Sequence, residues 1–132
     1  MFYLLIYISG NVVNVSSVNG IRSFPGVLAY CISKSAVDQL THCSALDLAS
    51  KQVRVNSVCP GVVTTGLHLR SGLDQQAYEA FLERSKTTHA LGRPGNADEV
   101  ASTITFLASE CASFITGVSL PVDGGRHAMC PR

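Results

Sequence analysis

Short apolar runs alternate along this chain with longer stretches in which apolar residues recur every three or four positions. The short runs are rich in β-branched residues and predict three strands, at residues 11–17, 53–58 and 118–122. The longer stretches predict three helices, at residues 28–49, 74–86 and from Asn96 onward. Helices between successive strands favour parallel pairing through right-handed crossovers. The pattern therefore predicts an α/β fold with three parallel strands and flanking helices.

The predicted helix at 28–49 carries an apolar stripe of the kind that packs against a core. The members of the stripe are Leu28, Ile32, Ala36, Leu40 and Cys43. The other two predicted helices begin with capping signals. Asp74 stands before the second helix, and Asn96 with Glu99 three residues later resembles a capping box.

Composition limits the class of protein. Hydrophobic residues make up 46% of the 132 residues and charged residues 14%, which indicates a globular chain of one domain at most. The net charge is +1 without a basic or acidic block, so we expect no nucleic-acid partner. The apolar start, MFYLLIYISG, is too short to span a bilayer and has no Lys or Arg before it. We expect it to run on into a buried strand, with a signal peptide as the weaker alternative.

The cysteines and histidines show no spacing typical of a metal site or a disulfide framework. The five cysteines include no C-x-x-C pair, and the four histidines lack ligand spacing. We therefore expect no metal and reduced thiols in an intracellular protein. The cytoplasm is the expected location, and a mitochondrial or other organellar one stays open.

The segment around Tyr30 carries the candidate chemistry. Tyr30 and Lys34 are four residues apart, so they share one face near the start of the long predicted helix. A nearby ammonium group and the helix N-terminus both favour the phenolate form, which makes such a tyrosine a plausible acid–base group. Ser17 ends the preceding strand, where ligand crevices of parallel sheets open. Taken alone, a Tyr-x-x-x-Lys spacing is common by chance and is far more typical of an interfacial tyrosine and a solvated lysine than of a catalytic pair.

Several further motifs, which follow one another along the chain, favour the catalytic interpretation of Tyr30 and Lys34. NVVNVSSVNG contains Ser17, which is 13 residues before Tyr30; YCISK carries the tyrosine–lysine pair, and VRVNSVCPGVVTT is a strand with a Pro-Gly loop. LGRPGNADEVASTITFLASECASFITGVSLPVDGG completes the series. Together they resemble the C-terminal half of short-chain dehydrogenase/reductases, especially the branch of the 3-oxoacyl-acyl-carrier-protein reductases. The resemblance implies a single partial Rossmann-like domain over residues 1–132, with residues 1–10 as an atypical apolar segment.

The resemblance also implies roles for individual residues. Tyr30 would be the acid–base, Lys34 would assist it and bind the nicotinamide ribose, and Ser17 would orient the substrate carbonyl. The Pro-Gly loop would meet the nicotinamide of NAD or NADP through Pro60, Gly61, Val63 and Thr65. Asn56 would brace its strand rather than touch a ligand. The implied partners are a small carbonyl or alcohol substrate and, in a full-length parent, further copies of the chain.

Residues 66–90 resemble the variable substrate lid of the family. Specificity would lie around four of its residues: Leu67, His68, Tyr78 and Phe81. For these side chains, ordinary helix packing is an equally good explanation.

The family's phosphate-binding half has no counterpart in these residues. Neither T-G-x-x-x-G-x-G nor G-x-G-x-x-G occurs in the sequence. We therefore expect a truncated form of an NAD(P)-dependent oxidoreductase, with little or no dehydrogenase activity as an isolated chain. The alternatives are a non-catalytic form that acts through association with other subunits, and an isomerase or dehydratase built on the same tyrosine–lysine pair.

Overall fold

Three parallel strands form the main sheet of this computed structural model, which describes residues 10–130 apart from the side chains of residues 68 and 69. The expected apolar segment at residues 1–10 falls almost wholly outside the described residues. The elements in chain order are β1 (Asn11–Val15), α1 (Val18–Ile21), α2 (Leu28–Ala49), β2 (Arg54–Pro60), β3 (Val63–Thr64), α3 (Leu67–Arg70), α4 (Gln75–Thr88), β4 (Gly95–Asn96), α5 (Ala97–Ala108) and β5 (Ser119–Val122). Short 3-10 turns occupy Glu110–Ala112 and Arg126–Ala128.

The strand order in the main sheet is β1-β2-β5, and both pairings are parallel. Val13 pairs with Asn56 in the first ladder, and Val58 pairs with Leu120 in the second. The predicted α/β fold with three parallel strands is therefore confirmed. The α-helices between strands make the long connections that parallel pairing requires.

The core lies in two clusters on the two sides of β2. Ala45 of α2 packs with Val53 and Val55, whereas Leu107 of α5 packs with Val58. Odd- and even-numbered residues of a strand point to opposite faces, so α2 and α5 cover opposite faces of the sheet. Helices on both faces make this part of a doubly wound sheet.

The apolar stripe predicted on α2 does not face the core. Leu28 is 75% exposed, Ile32 61% and Leu40 59%, and Ala36 and Cys43 are also exposed. The apolar period of α2 therefore marks its exposed side and not its contact with the sheet. The face toward the sheet instead carries small and polar side chains, which give no hydrophobic period.

Polar hydrogen bonds connect that face of α2 to the sheet. Asn14 Nδ2 donates to Thr41 Oγ1 at 2.9 Å, and the hydroxyls of Ser57 and Ser119 each lie 3.2 Å from Asp38 Oδ1. Asp38 and Thr41 are buried, so these bonds satisfy Asp38 Oδ1 and Thr41 Oγ1, atoms that would otherwise be costly to bury. The helix thus keeps a fixed position on the sheet without a large apolar contact.

Asn56 braces β2, as the sequence predicted. Its side chain is fully buried. Nδ2 donates to the carbonyl of Ile115 at 2.9 Å, and Oδ1 accepts from the N–H of Val118 at 3.1 Å. Both partners belong to the segment that leads into β5, so the amide fixes the two strands at their correct separation.

Short helices and strands occupy several of the segments that lie between the predicted helices and strands. The segment at 18–26 begins with α1, and the irregular segment after the Pro-Gly loop contains β3 and α3. β3 pairs in parallel with β4, which lies within the segment LGRPGN, between α4 and α5. The Glu99 carboxylate accepts from the N–H of Asn96 at 2.8 Å at the start of α5, where the capping signal was recognised.

Candidate active site

Ser17 lies between the end of β1 and the start of α1. Its hydroxyl accepts from the N–H of Asn19 at 3.1 Å, so it caps α1, and its exposure is only 7%. Gly20 of α1 lies directly against α2: a Cβ at this position would collide with Asp38 Oδ2 and lie 3.0 Å from the carbonyl oxygen of Lys34. The absence of a side chain at Gly20 therefore lets the serine approach the tyrosine–lysine helix closely.

Tyr30 and Lys34 lie one turn apart at the start of α2. Tyr30 is 47% exposed, and the Nζ atom of Lys34 lies 5.6 Å from the centroid of its ring. Lys34 Nζ also donates to the carbonyl of Val15 at 3.0 Å, while Ser16 Oγ donates to the carbonyl of Lys34 at 3.1 Å. These bonds tie the helix to the end of β1 and hold the ammonium group beside the phenol.

One cleft of about 1640 Å³ contains all three of these side chains in its lining. The sequence-predicted residues that line it together are Ser17, Tyr30, Lys34, Pro60, Gly61, Val63, Thr65, Leu67 and Phe81. They come from the end of β1, the start of α2, the Pro-Gly loop and the 66–90 segment. The structure thus brings together at one opening groups that are up to 64 residues apart in the chain.

Tyr78 differs from its neighbours in the 66–90 segment. It is 8% exposed, and its hydroxyl donates to the carbonyl of Thr65 at 3.0 Å rather than lining the cleft. Packing is therefore the role that the structure supports for Tyr78, and its hydrogen bond positions Thr65. The side chain of His68 lies outside the described residues.

His89 supports the Pro-Gly loop through a hydrogen bond to the backbone of Val62. The sequence analysis did not single out this residue. The ring is 3% exposed; its Nδ1 lies 2.8 Å from the carbonyl of Ser85, and its Nε2 accepts from the N–H of Val62 at 3.1 Å. This pairing requires the neutral Nδ1–H tautomer. Burial lowers the pKa of His89 below its ordinary 6.5. A lone histidine without ligand spacing carries no signal in the sequence, so only the folded contacts show this role.

The His89 contacts predict that acid weakens the fold. In the unfolded chain the ring takes up a proton near pH 6.5, whereas the folded chain resists protonation because Nε2 is an acceptor in a buried site. The contribution of His89 to the free energy of unfolding is therefore fully present above pH 6.5 and declines as the pH falls below that value. Thermal unfolding of the wild type and of His89→Gln across this range measures the effect. We expect a flatter pH dependence in the variant, and an unchanged slope would contradict the assignment.

In the described residues, the cysteine and acidic side chains form no second candidate metal or active site. All five cysteines are free, and burial, followed by the charge of Asp38, raises the pKa of Cys59 to about 11. Within residues 10–130 no group of three or more His, Cys, Asp or Glu side chains is placed to hold a metal ion. No helix in that part of the chain is long and apolar enough to cross a membrane.

Ser17, Tyr30 and Lys34 thus line one cleft at the C-terminal end of the parallel strands, beside the Pro-Gly loop. The family model described as enoyl-(acyl carrier protein) reductase matches residues 5–127. The chain belongs to the short-chain dehydrogenase/reductase family.

Relatives and solved structures agree with this membership. Meso-2,3-butanediol dehydrogenase of Serratia marcescens is 44% identical over 94% of this chain and 47% of its own length. The 3-oxoacyl-[acyl-carrier-protein] reductase of Thermotoga maritima is 41% identical over 93% of this chain and 48% of its own length. A Caenorhabditis elegans short-chain dehydrogenase/reductase of unknown function, solved with cofactor, has a TM-score of 0.88 and 39% identity, covering 96% of this chain and 48% of that one. Other similar structures hold NADH or NADP.

The chain spans about half the length of the relatives that it matches. The matched half contains the serine, tyrosine and lysine. The motif T-G-x-x-x-G-x-G does not occur in the 132 residues.

Proposed function

We propose that these residues form the catalytic half of an NAD(P)-dependent oxidoreductase that interconverts a carbonyl compound and a secondary alcohol. The observation that carries the proposal is the common cleft of Ser17, Tyr30 and Lys34, with the ammonium group held beside the phenol. Family membership supports the same chemistry. The implied substrate is a small carbonyl compound or alcohol.

The donors that line the cleft fit a nicotinamide nucleoside. Lys34 and Tyr30 offer an ammonium and a hydroxyl group for ribose hydroxyls, and Pro60, Gly61 and Val63 offer an apolar floor with backbone groups for the ring and its carboxamide. Thr65 adds a hydroxyl at the same edge. When bound, the reduced nicotinamide supplies the hydride that adds to the carbonyl carbon.

Each catalytic side chain has a distinct task in the reduction. Tyr30 donates its phenolic proton to the carbonyl oxygen as negative charge develops there. Lys34 stabilises the phenolate that remains, because its ammonium group lies beside the ring. Ser17, fixed by its capping hydrogen bond, donates a hydrogen bond to the same carbonyl oxygen and orients it, while keeping its own proton. In the oxidation of an alcohol, the phenolate of Tyr30 accepts the proton.

The isolated chain is expected to bind cofactor weakly. The residues present here provide the nicotinamide end of the site, whereas a Gly-rich turn that cradles pyrophosphate does not occur in the sequence. Isothermal titration calorimetry of the 132-residue chain with NADH and with NADPH tests this and compares the two cofactors. We expect no saturable binding in the micromolar range. Micromolar binding of either cofactor would show that these residues are sufficient.

The exposed face of α2 supports a second candidate, in which the chain acts by association. Leu28, Ile32 and Leu40 are each more than half exposed and stand in one row on a surface helix. A row of this kind is typical of a subunit contact, and we propose homo-oligomers of the full-length parent on this basis.

The free thiols support a cytoplasmic setting. Cofactor binding by the natural protein that contains these residues separates the two candidates, because a protein that acts only by association has no need of a nicotinamide cofactor.

A further inference from the structure

The cleft that holds Tyr30 is lined by four cations and, in the described residues, by no aspartate or glutamate. The cations are Arg22, Lys34, Arg84 and Arg126. The residues outside the described range, 1–9 and 131–132, contain no acidic residue either. Such one-sided charge is unusual for a chain with a net charge of only +1, and it favours an anionic ligand.

Two of these cations have tasks that do not involve a substrate anion. Lys34 donates to the carbonyl of Val15 and lies beside the phenol of Tyr30. Arg22 donates to the backbone carbonyls of His127 and Met129, so it holds the turn that follows β5 against α1. Arg84 and Arg126 remain as the cations of the cleft that are available for a ligand.

Arg126 is held in place but is not neutralised by a hydrogen-bonded carboxylate. Its guanidinium stacks on the ring of Phe24, with Cζ 4.5 Å from the centroid, and its Nε is buried without a hydrogen-bond acceptor among the described residues. Asp123 is the opposite charge that acts on Arg126, and its carboxylate is engaged by the N–H groups of Gly125 and His127 and by His127 Nδ1. A buried donor without a partner is costly, and an oxyanion would supply one.

Arg84 adds a second positive charge at the same place. It lies on α4 one turn after Phe81, and its side chain is exposed on the cleft. Burial lowers the pKa of Arg126, and the charge of Arg84 acts in the same direction, while Asp123 opposes them. An anion between the two guanidinium groups would relieve this repulsion.

We propose that Arg84 and Arg126 bind a carboxylate or another oxyanion carried by the substrate, so that this enzyme acts on anionic carbonyl compounds or alcohols. The inference rests on the oxidoreductase function proposed above and names the substrate class of that same cleft. Phe24, Phe81 and Leu67 line the same cleft and provide an apolar wall for the body of the substrate. The substrate thus has an apolar frame, a reactive carbonyl at Tyr30 and an anionic end at the two arginines.

A binding experiment tests the anion site without turnover. Arginine Nε–Hε signals of the natural protein that contains these residues are followed by NMR during titration with cyclohexanecarboxylate and, separately, with neutral cyclohexanecarboxamide. Arg84→Gln and Arg126→Gln assign the signals. Saturable shifts of both signals with the carboxylate alone are expected. Equal responses to the two compounds, or no response to the carboxylate, would overturn the proposal.

A kinetic experiment separates this proposal from the general function. The two probes are 4-oxocyclohexanecarboxylate and its methyl ester, which differ in charge at the end remote from the ketone. We expect kcat/KM to favour the carboxylate by about tenfold or more, because charge-assisted bonds to arginine are lost in the ester. Arg84→Gln removes most of that preference, mainly through KM, whereas Lys86→Gln keeps it, since Lys86 pairs with Glu83 outside the cleft.

The outcomes identify which proposal fails. Equal reduction of both ketones would overturn the anion site and leave the oxidoreductase function standing. Carboxylate binding by NMR without reduction of either ketone by NADH or NADPH would count against the oxidoreductase function and leave the anion site standing. A loss of NADH or NADPH affinity in Arg84→Gln would instead assign the arginines to cofactor phosphates, which overturns the substrate proposal.

Discussion

Replacement of Tyr30 by phenylalanine is expected to lower kcat of the natural protein by about 10²–10⁴-fold, the usual contribution of a general acid–base group. The substitution removes only the phenolic oxygen. The ring, its contact with the Lys34 ammonium group and the start of α2 are retained. Because Tyr30 is 47% exposed, the loss of one hydroxyl should leave the free energy of unfolding almost unchanged. Steady-state kinetics and urea denaturation of the same preparation measure the two quantities.

Tyr78→Phe is the matched control for this prediction. It removes the same atom from a buried tyrosine whose hydroxyl donates to the carbonyl of Thr65. We expect the reverse pattern: a loss of about 1 kcal/mol in the free energy of unfolding, and a far smaller effect on kcat. If Tyr30→Phe retained turnover within a few-fold of the wild type, another group would have to supply the proton.

Leu107→Ala is expected to lower the free energy of unfolding by about 2–5 kcal/mol, which is a large share of the stability of a typical domain. Leu107 is a completely buried residue of α5 and packs with Val58 of β2 and with Ala112. The truncation leaves a cavity between the helix and the sheet, and the branched strand residues around it cannot move to fill it. Urea denaturation midpoints, at unchanged slope, report the loss.

Leu91→Ala provides the corresponding control. The side chain of Leu91 is 69% exposed in the segment between α4 and β4, so the same truncation removes little buried surface. We expect its effect to stay within about 0.5 kcal/mol. Similar losses for the two variants would show that α5 does not pack on β2 as described.

The sheet could be predicted from sequence because its strands carry a strong local signal. β-branched runs marked all three strands, and α2 begins and ends at the predicted residues, Leu28 and Ala49. The orientation of α2 could not be predicted in this way. A hydrophobic stripe shows that a helix has an apolar face, and the stripe alone does not say whether a sheet or another surface covers that face. Here Asp38, Thr41 and Ala45 face the sheet.

The shortest elements escaped prediction for a different reason. β3 and β4 have two residues each, and α1 and α3 have four, which is less than one clear period of any pattern. Their positions depend on tertiary contacts, such as the parallel pairing of Val63 with Gly95. Local sequence therefore cannot distinguish them from loops.

Some residues of the candidate site could likewise be predicted from the sequence, and others could not. The spacing of Tyr30 and Lys34 on a helix, and of Ser17 at a strand end, is local information that placed all three at one cleft. His89, Arg84 and Arg126 gain their significance only from partners far away in the chain, such as Val62 for His89 and Phe24 for Arg126. No motif marks such residues, because their neighbours are determined by the fold.

The most direct test of the account is the transfer of deuterium from C4 of reduced nicotinamide to a carbonyl carbon. The natural protein that contains these residues is incubated with deuterated NADH or NADPH and 4-oxocyclohexanecarboxylate, and the alcohol product is analysed by mass spectrometry and NMR. The account predicts one deuterium at the carbinol carbon, formed by the wild type and almost lost in Tyr30→Phe. Absence of label in the product, or equal labelling by the two proteins, would contradict the assignment of the Ser17, Tyr30 and Lys34 cleft as the site of hydride transfer.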